Sequence, residues 1–348
     1  MTGGTDHARY VAEFMRLGKG DVNRAGGKGA ALGELTRAGA KVPPGCVVTT
    51  AAFDLAVDGS VRDQARRLAS GDVDDTTALA DAAARLRRRV ESTPLPPPVR
   101  EAILRHYREL DAGPVAVRSS ATAEDGADAS FAGLQDTYLW VRGEDAVCTA
   151  VRRCWASLYS AESLTYRGRR GLPEDGLSMA VVVQRMVEPK AAGVMFTRSP
   201  LTGDRSVIAV EGSWGLGSAL VSGDVTPDSF VVNKVTGEVL NRSVPAKLRL
   251  HRMDPSGSGV LADDVPSELR EVPCLSDDEI GELVRLGRAI ERHFGCPQDI
   301  EWAITEAGEV FLLQSRPETV WAAREQPPVA VPKARAFDHV LDLLGGGA

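Results

Sequence analysis

The segment 299–316 holds the residues best suited to chemistry, because oxygen-bearing side chains alternate there with apolar ones. Residues 299–304 and 310–316 have the period of two that predicts strands, and Ala307-Gly308 between them predicts a two-residue hairpin turn. Side chains that face each other in such a ladder lie about 5 Å apart. The turn fixes four facing pairs: Asp299 with Arg316, Glu301 with Gln314, Ile304 with Phe311, and Glu306 with Glu309.

Glu301 and Gln314 therefore present a carboxylate and an amide oxygen side by side. Oxygen donors of this kind suit Mg²⁺, which in proteins takes one or two carboxylates together with phosphate oxygens. In the neighbouring pair, Asp299 adds a carboxylate and Arg316 adds a guanidinium that can hold a phosphate in a bidentate manner. The pattern predicts a metal and phosphate site, and a solvated hairpin with one salt bridge is the alternative.

A second candidate is the Gly-rich segment 26–34, which places Lys28 at a turn just before a predicted helix. Backbone N–H groups and the helix dipole at such a position favour an anion. The spacing differs from the Gly-x4-Gly-Lys-Ser/Thr pattern of the P-loop. The segment indicates either a phosphate contact through Lys28 or a surface turn before a helix.

A third candidate combines a strand end with a loop of small residues. The predicted strand 115–117 ends in the polar turn Arg118-Ser119-Ser120, and the segment 130–137 contains Gly133 and Thr137. An arginine at a strand end, followed by hydroxyls and a glycine that lets backbone approach a ligand, can close over phosphates. A polar loop on an α/β core explains the same residues.

Two more segments carry weaker signals. The apolar run 181–187 leads into the connector Glu188-Pro189, which could hold a flat base between two lobes through backbone groups. A core strand has the same pattern. Residues 211–217 are rich in glycine, but tight turns explain a lone Gly-x-x-Gly-x-Gly equally well.

Helix and strand patterns supply the frame for these candidates. The clearest helix is 276–294, for which Ser276 is the expected N-cap, Glu279 its capping-box partner and Gly295 the C-terminal stop. The remaining apolar periodicities predict further elements: helices at 29–38, within 60–92, at 99–110 and at 144–159, and strands at 46–50, 179–186, 193–197 and 207–210.

Composition limits the class of protein. The chain has 348 residues, 43% hydrophobic and 26% charged, which suits a globular protein with two lobes. Its formal net charge of −7 argues against a nucleic-acid partner. No segment approaches the roughly 20 apolar residues of a membrane helix, and five cysteines without CxxC spacing are expected to be reduced thiols. We expect a cytoplasmic protein without a membrane partner.

Taken together in this order, the motifs resemble the N-terminal ATP-grasp domain of phosphoenolpyruvate synthase, pyruvate phosphate dikinase and rifampin phosphotransferase. The resemblance runs from about Asp21 to Trp321. It implies an α+β fold in which two lobes grip ATP, with Mg²⁺ on the phosphates. The expected divisions are an N-terminal lobe 1–190, a C-terminal lobe 191–322 with the metal-binding hairpin, and a linker or docking tail 323–348.

The resemblance also implies a role for each matching residue. Lys28 and Arg118 would hold phosphates, Gly133 and Thr137 would belong to the loop that covers them, and Arg316 would contact them. Glu301 and Gln314 would be the Mg²⁺ ligands, as the hairpin register had already suggested. The adenine pocket would be lined by Gln184, Met186 and Val187. The family often has Gln in place of Leu134 and Glu in place of Ser218, so the geometry near those two positions is expected to differ.

Full-length relatives carry a swivelling domain whose histidine, in a Gly-rich Ser-His context, takes the phosphoryl group. None of the five histidines here has that context: His7, His106, His251, His293 and His339. Phenylphosphate synthase and 4-methylbenzyl phosphate synthase are split into subunits, and this chain looks like their ATP-binding subunit. We therefore expect a separate phosphohistidine subunit that phosphorylates a small acceptor of the phenol or alcohol type.

Two rival functions follow from the same site. The chain could be a self-contained ATP-grasp ligase, although no second substrate domain is evident in it. It could also be an ATP-sensing module without turnover, although the intact charged residues Lys28, Arg118 and Glu301 argue against that.

Overall fold

In a computed structural model of the chain, the described residues are 8–71, 76–122, 125–126, 129–130, 136–172, 176–257, 259–319 and 321. The α-helices in these ranges are α1 Val22–Arg37, α2 Thr50–Ala56, α3 Gly59–Ala69, α4 Thr76–Ser92, α5 Pro97–Glu109, α6 Glu144–Ser157, α7 Ala161–Arg170, α8 Ser218–Val221 and α9 Asp277–Phe294. The strands are β1 Val11–Glu13, β2 Gly45–Val48, β3 Val115–Ala121, β4 Asp125–Gly126, β5 Ala129–Ser130, β6 Thr137–Val141, β7 Met179–Arg185, β8 Ala191–Phe196, β9 Val207–Trp214, β10 Asp228–Asn233, β11 Val239–Ser243, β12 Arg249–Met253, β13 Val260–Asp264, β14 Gln298–Ile304 and β15 Val310–Pro317.

The first sheet has five strands in the order β1-β2-β7-β3-β6, and all neighbours are antiparallel. Helices α2 to α7 contribute apolar side chains to the hydrophobic core on this sheet. At its centre Phe53 meets Trp155 edge to face, with ring centroids 6.0 Å apart. This aromatic contact packs helix α2 against helix α6.

The second sheet has six strands in the order β11-β10-β9-β8-β14-β15, again antiparallel throughout. Trp302 is fully buried within it. A Cβ on Gly193 would lie 1.9 Å from the Glu211 carbonyl oxygen and 2.8 Å from Trp302, and one on Gly212 would lie 2.7 Å from Trp302. These two glycines therefore make room for the indole ring in the sheet.

Helix α1 joins the two sheets, because it contacts β7 in the first and β15 in the second. Its Leu32 and Leu35 belong to the same core as Val182 of β7, Trp302 of β14 and Leu312 of β15. The two sheets thus share one apolar core along this helix, which fixes β3 and the β14–β15 hairpin relative to each other.

Helix α9 has the capping predicted from the sequence. Ser276 Oγ accepts from the Glu279 N–H at 3.3 Å, and Glu279 Oε2 accepts from the Ser276 N–H at 2.8 Å. Gly295 ends the helix with a φ of 75°, a left-handed conformation that glycine adopts without strain. The predicted apolar stripe is buried at Ile280 and three further positions, Leu283, Val284 and Ile290, and half-buried at Phe294.

The polar turn predicted at Arg118-Ser119-Ser120 is wrong, because β3 continues through these residues to Ala121. Ser119 and Ser120 pair with Val181 and Ala180 of β7. Their hydroxyls are satisfied inside the fold: Ser119 Oγ donates to the Asp136 carbonyl at 3.1 Å, and Ser120 Oγ donates to the Ala25 carbonyl at 2.8 Å. Buried hydroxyls with backbone partners can stay within a strand.

The cysteines give a prediction about reactivity. Four of the five thiols are buried, and Cys296 alone is partly exposed. Burial raises the pKa of Cys46 to about 12 and also raises the pKa of Cys148, Cys154 and Cys274. Since the thiolate is the reactive form, we expect Ellman's reagent at pH 8 to modify one thiol rapidly in the native protein and all five in urea. Cys296→Ser should abolish the fast phase, and a fast phase that survives would contradict this assignment.

Candidate nucleotide and metal site

The hairpin β14–β15 has part of the predicted register. Asp299 faces Arg316 and Glu301 faces Gln314, as expected. The prediction for the outer part is wrong, since Ile304 faces Val310 rather than Phe311. The Thr305 N–H donates to the Glu309 carbonyl at 3.1 Å, so Glu306 lies in the loop and does not face Glu309.

A β-bulge causes this shift. Gln314 pairs with Glu301 and Leu312 pairs with Trp302, so Leu313 is the extra residue. One additional residue on β15 moves every pair beyond the bulge by one position. The connection then has five residues, 305–309, instead of the two expected, while the functional end of the hairpin keeps its register.

Arg118 of β3, in the first sheet, reaches the predicted metal ligands on the hairpin of the second sheet. Its Nη2 donates to Glu301 Oε2 at 2.8 Å and to Gln314 Oε1 at 2.6 Å, and its Nη1 donates to the Leu313 carbonyl at 3.1 Å. The Arg118 side chain is 11% exposed and that of Glu301 is 34% exposed. A guanidinium in this position shows that the two oxygens converge on one cationic group.

This donor set fits a hard metal ion. Glu301 supplies a carboxylate oxygen and Gln314 a neutral amide oxygen, the ligand types that Mg²⁺ accepts when phosphates complete its shell. Both oxygens accept from the same cationic group, the Arg118 guanidinium, so they are close enough together to bind one cation. Glu301 and Gln314 would therefore hold the ion.

Asp299 and Arg316 form the next pair along the hairpin. Arg316 Nε and Nη2 both lie 2.8 Å from Asp299 Oδ2. Burial raises the pKa of Asp299, while Arg316 opposes that rise and the neighbouring Glu301 adds to it. Two carboxylates and two guanidinium groups are thus concentrated at this end of the hairpin, which suits a site that handles both a cation and phosphates.

Lys28 follows a break within α1 at Gly26 and lies in the first turn of the second part of that helix, close to the predicted place at a Gly-rich turn before a helix. The helix begins at Val22 and is interrupted at Gly26, whose φ is 68°. A Cβ on Gly26 would lie 2.1 Å from the Ser120 carbonyl oxygen, so this position requires glycine both for conformation and for space. The Gly29 N–H donates to Ser120 Oγ at 3.1 Å, which uses one of the donors expected to receive an anion.

The kink brings Lys28 to the β3 strand. Gly29 bonds Ser120, which stands two residues along β3 from Arg118. Thr137 pairs with Arg118 in the β3–β6 ladder and is exposed. Lys28, Arg118 and Thr137 are therefore brought to one region, whereas Gly133 lies outside the described residues.

The residues predicted for the base lie one strand away. Gln184 pairs with Ala116 of β3, is buried, and donates from Nε2 to the Pro43 carbonyl at 3.2 Å. The Met186 N–H donates to the Pro114 carbonyl at 2.9 Å, and Met186 and Val187 are half-buried. Their role in an adenine pocket stays a prediction.

Sequence reasoning missed two contributors to this site. Ser120 holds the Gly26 kink against β3, whereas the motif Arg118-Ser119-Ser120 indicated it only as a possible phosphate contact. The Leu313 carbonyl accepts from Arg118 because the bulge exposes it. No local pattern marks that bulge, since it shows only when the two strands are aligned.

Comparison with known families decides the affiliation of the chain. Residues 22–336 match the model of the family described as pyruvate phosphate dikinase, AMP/ATP-binding domain. The chain belongs to this family. Membership confirms the expected ATP-grasp fold class and the resemblance derived from the motifs.

The curated relatives of this chain include phosphotransferases. A probable phosphoenolpyruvate synthase from Methanothermobacter thermautotrophicus is 46% identical over 324 residues, covering 91% of this chain and 47% of the relative. A rifampicin phosphotransferase from a Streptomyces species is 46% identical over 321 residues, covering 89% of this chain and 36% of the relative. The chain thus spans about half, or less, of the curated relatives that it matches.

Solved structures add little to the family assignment. The match to the ADP complex of N5-carboxyaminoimidazole ribonucleotide synthetase covers 62% of this chain and 37% of the synthetase chain. Its TM-score is 0.29 and the sequence identity is 12%. A score this low does not by itself establish a shared fold. In the described part of the chain, no helix has the length and apolar character to cross a membrane.

A hydrogen bond between helices α1 and α9 is a pH-dependent contact in this chain. Glu34 of α1 accepts from Nε2 of His293 of α9 at 2.8 Å and from the Lys19 N–H at 2.7 Å. The hydrogen bond from His293, with that from Lys19, lowers the pKa of Glu34 below its ordinary value of 4.5. A lowered pKa stabilises the fold above pH 4.5, and that stabilisation is lost as the pH falls through the folded-state pKa.

We expect Glu34→Gln to lower the free energy of unfolding at pH 7 and to lose this effect in acid. Urea denaturation of both proteins from pH 7 to pH 3 measures the difference. The gap between wild type and variant should shrink below pH 4.5, because the wild type alone loses the ionised contact there. A gap that stays constant over the whole range would refute the pH dependence.

Proposed function

We propose that this chain is the ATP-binding part of a phosphoenolpyruvate synthase-like phosphotransferase that uses Mg²⁺. It splits ATP to AMP and phosphate and transfers a phosphoryl group to a histidine on a separate protein. That protein then phosphorylates a small acceptor of the phenol or alcohol type. The observation that supports this most is the contact of Arg118 in one lobe with Glu301 and Gln314 in the other.

The residues of the chain would act mainly by positioning and by neutralising charge, which is most of what phosphoryl transfer requires. Mg²⁺ bound by Glu301 and Gln314 would neutralise charge on the phosphates. Lys28, Arg118 and Arg316 would supply positive groups around them. In this structure Arg118 pairs with Glu301 at 2.8 Å. With phosphates present, its guanidinium can turn to them and so couple the two lobes.

The proposal of a separate histidine protein draws on the environment of the histidines in the described ranges. His106 bonds the Ala102 carbonyl, His251 lies between Ser218 and Asp224, and His293 bonds Glu34. Each of these three rings is held within this chain. A histidine that shuttles a phosphoryl group has to travel between two sites, which none of these fixed positions favours.

We also propose the division of the chain into lobes 1–190 and 191–322, followed by a docking tail 323–348. The five-stranded sheet is built from residues before 190 and the six-stranded sheet from residues after it, which supports the first boundary. The tail lies outside the described residues. Its apolar stripe Phe337, Val340, Leu341 and Leu344 supports a docking role.

Hydrogen–deuterium exchange tests the nucleotide site on this chain alone. With Mg²⁺ and a non-hydrolysable ATP analogue, amides of the connector 184–189 and of the hairpin 298–317 should exchange more slowly, because both lobes close on the nucleotide. Helix α5, on the outer side of the first sheet, is the internal control and should not change. Unchanged exchange in both segments at saturating analogue would reject this site.

A further inference from the structure

A cavity of about 860 Å³ lies between the lobes, next to the candidate nucleotide site. One wall comes from β6 and α6, including Thr137 and Arg153, and the other from α8, β12 and β13. Thr137 pairs with Arg118 in the β3–β6 ladder, so the cavity begins one strand away from that arginine. The volume is large enough for a small organic substrate.

Three residues at the second wall form a hydrogen-bonded chain. Ser218 Oγ lies 2.9 Å from His251 Nδ1, and His251 Nε2 lies 3.1 Å from Asp224 Oδ2. An ionised carboxylate only accepts hydrogen bonds, so Nε2 carries the proton that faces Asp224. In the neutral ring Nδ1 is then an acceptor, and the Ser218 hydroxyl donates its proton to that base.

The surrounding backbone holds this arrangement in place. The Leu216 N–H donates to the His251 carbonyl at 2.8 Å. Gly215 has a φ of 75°, and a Cβ there would lie 2.4 Å from the same carbonyl oxygen. The glycine-rich segment before Ser218 therefore packs directly on the strand that carries His251, which fixes the serine relative to the imidazole.

Asp224 is itself supported as an anion. Ser222 Oγ donates to Asp224 Oδ2 at 2.6 Å, and this bond is the main cause that lowers the pKa of Asp224. His251 is 13% exposed, whereas Asp224 is 52% exposed. The imidazole is thus sheltered, and the carboxylate that orients it remains ionised.

We propose that Ser218 is a nucleophile, activated by His251 and oriented through Asp224, which cleaves small esters bound in this cavity. Ser218 Oγ attacks the carbonyl carbon, and its proton passes to His251 Nδ1. The bond from the carbonyl carbon to the alcohol oxygen breaks, and the departing alcohol takes that proton. Water then attacks the carbonyl carbon of the acyl-serine and gives a proton to Nδ1. The bond from that carbon to Oγ breaks, and Oγ takes the proton from Nδ1, which releases the acid and restores the serine.

The competing explanation is a purely structural one, in which the three side chains only fasten α8 to β12. The two explanations differ in what a serine-directed reagent would do. If the hydrogen bonds are only structural, Ser218 has the very low reactivity of an ordinary serine. If His251 activates it as a base, Ser218 reacts with a fluorophosphonate. General-base assistance is worth about 100-fold to 10,000-fold in rate, which makes the distinction measurable.

The test is labelling of the intact chain by a biotinylated fluorophosphonate in EDTA without nucleotide, followed by peptide mapping. We expect the label on Ser218, no label there in Ser218→Ala, and a rate at least about 100-fold lower in His251→Asn. The Asn amide can keep a hydrogen bond to Ser218 but cannot act as a base. Thr149→Val removes another hydroxyl of the same cavity and should label at the wild-type rate.

Asp224 is tested as a positioning residue. Asp224→Asn should lower the maximal labelling rate without changing the concentration of probe that gives half of it, and Asp224→Glu should restore part of the rate. Absence of label on Ser218 in the wild type would overturn the proposal. Equal labelling of wild type and His251→Asn would overturn it as well. Neither outcome bears on the nucleotide site, because the assay contains no metal or ATP.

Discussion

Replacing Glu301 by Gln is expected to lower the rate of AMP formation about 100-fold or more. The substitution keeps an oxygen that can accept from Arg118, so the contact between the two sheets survives, but it removes the negative charge that would help to bind Mg²⁺. The charge on the phosphates is then less well neutralised in the transition state. Removing one preorganised charge-stabilising group typically lowers a rate by about 100-fold or more. Gln314→Ala should act in the same direction. The measurement is steady-state AMP formation in the presence of the proposed histidine-bearing protein.

Glu309→Gln is the matched control for this prediction. Glu309 lies in the loop of the same hairpin, is exposed and forms an ion pair with Lys41. Loss of an exposed pair costs about 1 kcal/mol or less, so the rate of AMP formation should stay near that of the wild type. Near-wild-type rates in both Glu301→Gln and Gln314→Ala would rule out the hairpin as the metal site.

Replacing Lys247 by Met is expected to cause the largest loss of stability, about 3–5 kcal/mol in the free energy of unfolding. Lys247 and Asp228 are both fully buried, with Nζ 2.6 Å from Oδ1. Asp228 Oδ2 also accepts from the Cys274 N–H at 2.7 Å. Without the ammonium group the carboxylate remains in the interior with one backbone donor, and that uncompensated charge is the main cost. Urea denaturation at pH 7 measures it.

The double variant Lys247→Met with Asp228→Asn separates this cause from lost packing. The neutral amide removes the buried charge, so the double variant should be more stable than Lys247→Met alone. Arg249→Met is the exposed control, because its pair with Asp264 is half-exposed and should contribute about 1 kcal/mol or less. If Lys247→Met were no more destabilising than Arg249→Met, the buried pair would not have the role assigned here.

The functional end of the hairpin was predictable because strand periodicity and turn residues are local properties. Glu301 faces Gln314 and Asp299 faces Arg316, as the alternation indicates. The bulge at Leu313 was not predictable, since it leaves no mark in either strand separately. The error therefore affected only the pairs between the bulge and the loop.

Helix α9 and the Gly26 kink show the same difference between local and long-range features. The capping residues Ser276 and Glu279 and the final Gly295 mark α9 within its own sequence, and the structure has all three in those roles. The kink at Gly26 depends on Ser120, which is distant in sequence, so the segment was predicted as a turn before a helix. Local capping can be predicted from sequence, whereas long-range packing against another strand cannot.

The contact of Arg118 with Glu301 and Gln314 lies furthest beyond sequence reasoning. Arg118 lies in the first sheet, and Glu301 and Gln314 lie in the second, 183 and 196 positions further along the chain. Each was singled out by its own motif, but only packing of helix α1 against both sheets brings them together. Residue chemistry thus identified the members of the site, and the fold determined which of them meet.

Transfer of label from [β-³²P]ATP tests the central claim most directly. The chain is incubated with Mg²⁺ and the labelled nucleotide, alone and together with the proposed histidine-bearing protein, and acid-labile phosphate is then measured on each protein. We expect acid-labile label on the partner and none on this chain. Acid-labile label on this chain itself would contradict the account, and so would full release of AMP from ATP and a small acceptor with no second protein present.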